Sequence, residues 1–495
     1  MQSVMQAVMQ ANDRQGKRSR LVAGLLTMLT AAVMFAGVVV PARAQTFNSL
    51  YSFQGVNDNE GSYPMGLVQG TDGNLYGVTL AGGNAGEISS GTFFKISTSG
   101  NLKLICTFYN AACRDAQAPE NLVLGANGSF YGVALDGENF KISSRGKLKV
   151  LYSNANSISV APLVLASNKD FYGVSKNSGA NNLGTVFKMT PAGKLTTLYS
   201  FCSVVQNGIC LDGAQPVFGL VQGSDGNLYG TTSIGGSDGV NSGYGTIFKI
   251  TQAGVLTTLY SFPGFTPSSS ELVQGADGNF YGTTSSGGSG TYGAGGTFFR
   301  VTPSGSVTTL YNFCTLNHCA DGSQPSNLYL ATDGNFYGIA WGSGANDQGT
   351  IFQFTPSGTL TTLHNFDGAD GSGPNGGGTL MQATNGTFYG TMMEGGTGWP
   401  TCSFVCDGTI FSLDMGLGPF VKMVPTSGKV KTAVRILGTG LTGATSVTFN
   451  GTEATFTVAS SSEITAKVPT GATSGVIKVV TPSGTLTSNV VFQVP

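Results

Sequence analysis

An all-β fold is predicted by three observations. A short apolar run, an Asp-Gly-Asn-like turn and an aromatic-Tyr-Gly phrase return seven times, with the tyrosines at Tyr76, Tyr131, Tyr172, Tyr229, Tyr281, Tyr337 and Tyr389. The runs between turns are rich in β-branched and aromatic residues, and no stretch after residue 44 keeps a helical period. The tyrosine spacings are 55, 41, 57, 52, 56 and 52 residues, a period that marks an array of short-stranded units. Four strands per repeat and seven repeats predict a seven-bladed β-propeller of four-stranded blades, followed by a small immunoglobulin-like β-sandwich.

Residues 1–44 read as a signal peptide. Arg14, Lys17, Arg18 and Arg20 precede the apolar run Leu21–Val40, and Ala42-Arg43-Ala44 is a small-x-small cleavage site. The run is longer than a usual signal core, so an uncleaved membrane anchor is the alternative. Removing these residues leaves 19 basic and 24 acidic side chains, a net charge of −5. That balance argues against nucleic acid as a partner. No later run is long enough to span a membrane. Only 10% of residues are charged, so Ser, Thr, Asn and Gly must supply surface polarity, as in exported β-proteins.

Phe47–Phe53 reads Phe-Asn-Ser-Leu-Tyr-Ser-Phe, the pattern of a repeat's fourth strand. The fourth repeat shows the whole unit: strands at Gly219–Gly223, Leu228–Thr232, Gly245–Thr251 and Val255–Phe262, with Ser224–Asn227 as a hairpin turn. The seventh repeat has strands near Thr379–Gln382, Thr387–Met392 and Gly408–Leu413 but lacks the fourth. The N-terminal strand is therefore expected to complete it and close the ring over 45–415, with an open solenoid as the alternative. From Gly418 the repeat stops. Candidate strands at Val434–Leu437, Ser446–Phe449, Glu463–Lys467, Gly475–Thr481 and Asn489–Val494 predict a β-sandwich over 418–495.

Eight cysteines fall into four local pairs: Cys106/Cys113, Cys202/Cys210, Cys314/Cys319 and Cys402/Cys406. Four disulfides are expected in an exported chain, rather than metal sites with unequal spacings and only His318 and His364 as imidazole partners. No cofactor and no metal site is expected.

The repeated tyrosine either stacks on sugars or packs between blades, and one copy at the same position in every repeat favours packing. Asp-Gly-Asn lacks the alternating carboxylates of a calcium loop, and a hairpin turn accounts for it. Lys95, Lys141, Lys188, Lys249 and Arg300 share one third-strand position; they form a partial basic ring or snorkel at blade edges. No Ser-His-Asp set or metal triad can be assembled, and His364 stands where other repeats have tyrosine. Asp212, Asp321, Asp370 and Glu394 lie in loops that could converge as a glycosidase pair.

Strand parity puts the long, variable connections and all four cysteine pairs at one end of the array, and the short Asp-Gly-Asn and Pro-Ser-Gly turns at the other. A ligand, glycan or protein, is expected on the long-loop face. Trp341 and Trp399 follow second strands on that side and are candidate aromatic anchors; capping the propeller is the alternative role.

Gly-Leu-Val-Gln-Gly-x-Asp-Gly-Asn-Leu-Tyr-Gly-Thr-Thr at 219–232, then Gly-Thr-Ile-Phe-Lys-Ile-Thr and Leu-Thr-Thr-Leu-Tyr-Ser-Phe, resembles the GloVer tandem repeat of secreted bacterial proteins. The resemblance covers about 47–415. It implies an exported, surface-associated, propeller-like protein and supplies no catalytic residues. Gly438-Thr439-Gly440-Leu441, Ala444–Gly451, Ile464–Pro469 and Thr481–Gly484 resemble the IPT/TIG family, which implies an interaction or spacer module. Together these features point to a secreted or surface-associated binding or structural protein, with a polysaccharide-active hydrolase or lyase as the alternative.

Overall fold

A computed structural model describes residues 45–495 apart from segments 55–59, 84–89, 109–112, 114–115, 117, 136, 154–160, 238–243, 264–270, 374–377 and 400–406. The described residues are all-β, with one 3-10 turn at Asn317–Cys319. Among them, seven four-stranded antiparallel sheets follow one another along 46–414. Sheets 1 to 6 span 62–107, 119–153, 164–200, 221–261, 273–312 and 323–365. Sheet 7 takes its first three strands from 378–414 and its fourth from the other end of the chain. There Thr46–Ser52 pairs antiparallel with Thr409–Asp414. This is the displaced strand that the seventh repeat lacked.

In each sheet the Phe- or Leu-Tyr-Gly phrase opens the second strand, and its burial is complete or nearly so: Phe171–Ser175, Phe280–Thr284 and Phe388–Met392 are buried at every position. The glycine after each tyrosine is required by packing. A Cβ on Gly77, Gly173 or Gly282 would lie within 2.6 Å of the ring of Phe94, Phe187 or Phe299 on the neighbouring third strand. In sheet 4 the first strand is shorter than its sequence pattern suggested: only Val221–Gln222 pairs with the second strand.

Each sheet packs on the next. Tyr76 and Val78 of sheet 1 meet Phe130 and Phe140 of sheet 2, and the same seam recurs down the chain until Tyr389 and Ile410 of sheet 7 meet Leu75 and Phe94 of sheet 1. The order of packing is thus cyclic. First strands of sheets 1 and 2, 2 and 3, 5 and 6, 6 and 7, and 7 and 1 contact one another around the centre. The residue before each first-strand Leu closes much of that circle. A Cβ on Gly66 would lie 3.5 Å from Asn121 Oδ1 and 3.8 Å from Thr379 Cγ2, and one on Gly219 would lie 3.0 Å from Glu271 Oε1. Antiparallel order puts the first-to-second and third-to-fourth turns at one end of every sheet. The second-to-third and sheet-to-sheet connections lie at the other, long-loop end.

Residues 419–495 form two further four-stranded antiparallel sheets. Lys422–Val424, Ala433–Leu437, Glu463–Lys467 and Phe456–Ser460 make one; Thr452–Glu453, Ser446–Phe449, Ile477–Thr481 and Gly484–Thr487 make the other. Val434, Ile436, Val447, Phe449, Ile464, Ile477 and Val479 share the core between them. The expected strand at Asn489–Val494 is a correction: it forms only isolated bridges, Phe492 to Gly475 and Gln493 to Ser427. Its alternation is real, with Phe492 buried and Val491 exposed, but it runs beside two different segments rather than along one.

Candidate functional site

The Asp-Gly-Asn-x-Tyr phrase is a closed hydrogen-bonded unit at the short-turn end. Asp225 accepts from the Asn227 backbone N–H at 3.1 Å, its side-chain amide at 2.7 Å and the Tyr229 hydroxyl at 2.9 Å. Asp72, Asp277 and Asp333 repeat the set. Where asparagine replaces aspartate, as at Asn127, Asn168 and Asn385, its amide donates to the tyrosine oxygen instead, at 2.8–2.9 Å. Desolvation pushes the Asp72, Asp225 and Asp277 carboxyls up, but these hydrogen bonds outweigh it and hold them below the usual range. The same partners, after burial, push the Tyr281 phenol up to about 12. Five of the seven tyrosine rings lie against the next sheet's phenylalanine, with Tyr229 4.0 Å from Phe280 and Tyr76 4.5 Å from Phe130; Tyr172 and Tyr389 pack with Leu228 and Leu75 at that position. The repeated tyrosines are at most 2% exposed, so they offer no face to a sugar.

The third-strand cations belong to the same unit rather than to a basic ring. Lys95, Lys188, Lys249 and Arg300 sit directly across from Tyr76, Tyr172, Tyr229 and Tyr281. Lys95 pairs with Asp72 at 3.2 Å and Lys188 with Asp170 at 3.9 Å. Lys141 stands 5.6 Å over the Tyr131 ring.

Three short turns also seat the C-terminal sheets. Ser462 Oγ donates to the Thr71 carbonyl at 2.7 Å, and Arg435 Nε to the Ala126 carbonyl at 3.2 Å. The Thr439 and Thr384 hydroxyls meet at 3.1 Å, and the Phe420 N–H donates to the Thr384 carbonyl at 3.0 Å. Arg435 is itself held by an ion pair with Glu463.

At the long-loop end three of the four candidate acids are structural clamps. Asp321, fully buried, accepts from Tyr311 at 2.8 Å, Thr315 Oγ1 at 2.9 Å and the Thr315 and Leu316 backbone N–H groups. Asp212 accepts from Tyr199 at 2.7 Å and the Ser203 N–H at 2.9 Å. Asp370 takes His364 Nε2 at 2.6 Å and the Asp367 N–H at 2.9 Å. His364 thus does the work of the tyrosine it replaces, and it stacks on Phe47 of the N-terminal strand at 3.7 Å. Each acid folds the loop that leaves a fourth strand. These carboxylates do not converge: each is engaged within its own sheet-to-sheet loop. Glu394 is buried on the second-to-third loop of sheet 7, where its carbonyl accepts from the Ser372 N–H.

Cys106–Cys113, Cys202–Cys210 and Cys314–Cys319 are disulfide-bonded. Cys402 and Cys406 lie outside the described residues. Among the described residues no group of three or more His, Cys, Asp or Glu could hold a metal.

Both tryptophans reach the same loop, 367–373. The Trp399 indole lies over Gly368, where a Cβ would come within 2.2 Å of Nε1, and Gly373 lies against the Trp341 backbone. Trp341 does not follow its strand: it is within Phe336–Gly342, half-buried in the seam between sheets 6 and 7, and its Nε1 is buried without an acceptor. The side chain is long enough to reach that seam, which sequence spacing did not reveal.

One set of long-loop residues is not apparent from the repeat pattern alone. Tyr63, Ala118, Gln215 and Gln324 each precede a proline in or just ahead of a first strand and adopt left-handed φ angles of 57°, 47°, 52° and 54°. This is strained for a non-glycine residue before proline. Each backbone N–H is held by the preceding sheet: Tyr63 to Asp407 O at 2.9 Å, Ala118 to Ser90 O at 3.2 Å, Gln215 to Leu183 O at 2.7 Å and Gln324 to Gly295 O at 2.8 Å. The signal was present as Gly-Ser-Tyr-Pro, Gly-Ala-Gln-Pro and Gly-Ser-Gln-Pro at 61–64, 213–216 and 322–325. Burial, then Asp407 and Glu394, push the Tyr63 phenol above its usual value.

The Gloeobacter/Verrucomicrobia repeat matches residues 135–294 and 263–460, more than half of the chain. The chain belongs to this repeat family. No curated protein matches it in sequence. Among solved structures it is similar to the extracellular domain of a hybrid two-component system from B. thetaiotaomicron, at 10% identity and TM-score 0.47, over 90% of this chain and 57% of that one. The chain thus spans little more than half the length of that domain. It is also similar to the PQQ-bound aldose sugar dehydrogenase from Streptomyces coelicolor, at 14% identity and TM-score 0.39, over 60% of this chain and 93% of that one. A luciferin-regenerating enzyme gives 13% identity and TM-score 0.40 over 76% and 98%.

Proposed function

We propose that this repeat protein is a secreted or surface-associated, non-catalytic binding protein that takes a glycan or protein ligand on its long-loop face. In this reading residues 1–44 are a signal peptide, 45–415 a seven-bladed propeller closed by the N-terminal strand, and 418–495 an IPT/TIG-like immunoglobulin module. Three disulfides suit an oxidising compartment.

The observation that carries the reading is the asymmetry of the two ends. The short-turn end spends its polar groups on the repeated Asp-Tyr unit and on seating the C-terminal sheets. The long-loop end carries the loops that differ between repeats, the disulfides, and the exposed Leu135, Val204, Val205, Tyr292 and Leu316. Variable loops on a rigid scaffold can discriminate among ligands where repeated turns cannot. The alternative of a hydrolase or lyase is weakened because Asp212, Asp321 and Asp370 are committed to their own loops.

Arrays of glycans and of extracellular proteins, probed with the 45–495 protein, test this. Tyr292→Ala, Leu316→Ala and Trp399→Ala are expected to weaken the ligand found. If binding survives all three and fails on Asp225→Ala or Asp277→Ala, the long-loop assignment is wrong. Trp341→Ala is expected to lower the melting temperature as well, because its side chain packs in the sheet 6–7 seam.

A further inference from the structure

At the start of the first strands the scaffold repeats a strained backbone and leaves the side chain free to vary. The left-handed residue is Tyr63 in sheet 1, Ala118 in sheet 2, Gln215 in sheet 4 and Gln324 in sheet 6. The following prolines are pinned in the same way: Pro64, Pro119, Pro216 and Pro325 each abut the glycine that opens the preceding sheet's third strand, so a Cβ on Gly408, Gly91, Gly184 or Gly296 would fall within 2.8 Å of the ring. First strands are the innermost, so these residues surround the centre of the long-loop face. Their backbones are fixed by latches on both sides, so each side chain leaves from a set position.

Two of those four side chains are carboxamides. Gln324 is exposed and Gln215 half-buried. The amides of Gln69, Gln222, Gln274 and Gln382 are all engaged within the fold. Those of Gln215 and Gln324 take no hydrogen bond from any described residue. A carboxamide presents a donor and an acceptor side by side, the complement of a pair of neighbouring hydroxyls. Tyr63 adds a half-buried aromatic ring and a phenol beside Asp407 and Glu394. No lysine or arginine occurs in any of the seven first strands, so nothing there attracts an anion. The exposed aliphatic groups that a protein partner would cover, Val204, Val205 and Leu316, belong to the outlying loops instead.

Resting on the long-loop reading above, we propose that the centre of this face, at Tyr63, Gln215 and Gln324, is a subsite for an uncharged, hydroxyl-rich carbohydrate. The amides bind sugar hydroxyls and Tyr63 packs against the ring. A protein ligand held by the outlying loops is the competing outcome.

Titration calorimetry of the 45–495 protein with cellohexaose, laminarihexaose and chitohexaose tests the subsite. At least one is expected to bind. Gln215→Ala and Gln324→Ala should each weaken it about fivefold, the usual effect of one lost hydrogen bond. Gln324→Glu keeps the shape, removes the donor and should weaken it similarly. Melting temperatures should stay within about 2 °C of the parent, since these amides hold nothing in the fold. Failure of all three sugars to bind at millimolar concentration overturns the subsite. Sugar binding that survives the glutamine variants but falls with Tyr292→Ala or Leu316→Ala also overturns it, while leaving the long-loop reading intact. Loss only with Asp225→Ala or Asp277→Ala overturns both.

Discussion

Gln69 and Thr384, 315 residues apart, exchange two hydrogen bonds: the Gln69 amide donates to Thr384 Oγ1 at 3.0 Å, and its carbonyl oxygen accepts from the Thr384 N–H at 3.0 Å. The same clasp joins Gln222 to Ser167, Gln274 to Ser224 and Gln382 to Thr332, always between a first strand and the preceding sheet's turn. The seam between the chain's two ends is therefore built like an internal seam. Gln69→Ala should lower stability by about 1–2 kcal/mol, as should Gln274→Ala, measured by denaturant unfolding. A negligible effect at Gln69 alone would mean that the closing seam is open in solution.

The N-terminal strand bears on the same seam. Phe53 is 1% exposed and packs with Phe94 and Tyr389 across sheets 7 and 1. Phe53→Ala is expected to destabilise by about 3–4 kcal/mol, and deletion of Gln45–Phe53 by more. Truncated protein that melts within a degree or two of the parent would refute closure by this strand.

The turn aspartates make stability acid-sensitive. Asp72, Asp225 and Asp277 have folded pKa values below the ordinary 3.8. Their contribution is present above that value and is lost as pH falls through the lower folded values. Asparagine already serves at three equivalent turns. The triple Asp→Asn variant should therefore fold, and should lose less stability than the parent between about pH 4 and pH 2. An unchanged acid limb would contradict the assignment.

Glu120 acts in the opposite sense. It is 9% exposed, one of its carboxylate oxygens is buried without a partner, and burial pushes its pKa from 4.5 to about 7. The folded state favours the protonated form, so its stabilising share is full below about pH 4.5 and disappears as pH rises through about 7. Glu120→Gln should be more stable than the parent at pH 8 by a few kcal/mol, since each tenfold change in proton affinity is worth roughly 1.4 kcal/mol. At pH 4 the two should be nearly equal. Equal stability at both values would show that the carboxyl is solvated.

Reduction should add eight hydrogens to the intact mass of protein made in an oxidising compartment. Six would mean that Cys402 and Cys406 stay as thiols. Replacing Cys314 and Cys319 by serine should cost about 2 kcal/mol.

Local chemistry made much of the architecture legible in the sequence. Asp-Gly turns and period-2 runs act over a few residues, so the seven repeats, their strand order and the stray fourth strand at Phe47–Phe53 could be read without coordinates. The three described cysteine pairs were legible for the same reason, since each joins residues at most eight apart in sequence. What only the tertiary structure decided are relationships between groups that the packing of sheet on sheet brings together. The third bond of each turn aspartate comes from a tyrosine that must first be buried against the next sheet. Asp212, Asp321 and Asp370 look catalytic as letters and prove to be clamps, because their partners Tyr199, Tyr311 and His364 lie on the strand that the loop has just left. The left-handed residues before proline become visible only as latches to the preceding sheet. Trp341 joined a seam rather than a surface because its strand runs on to Gly342, which keeps Trp341 on the same face as Tyr337 and Ile339.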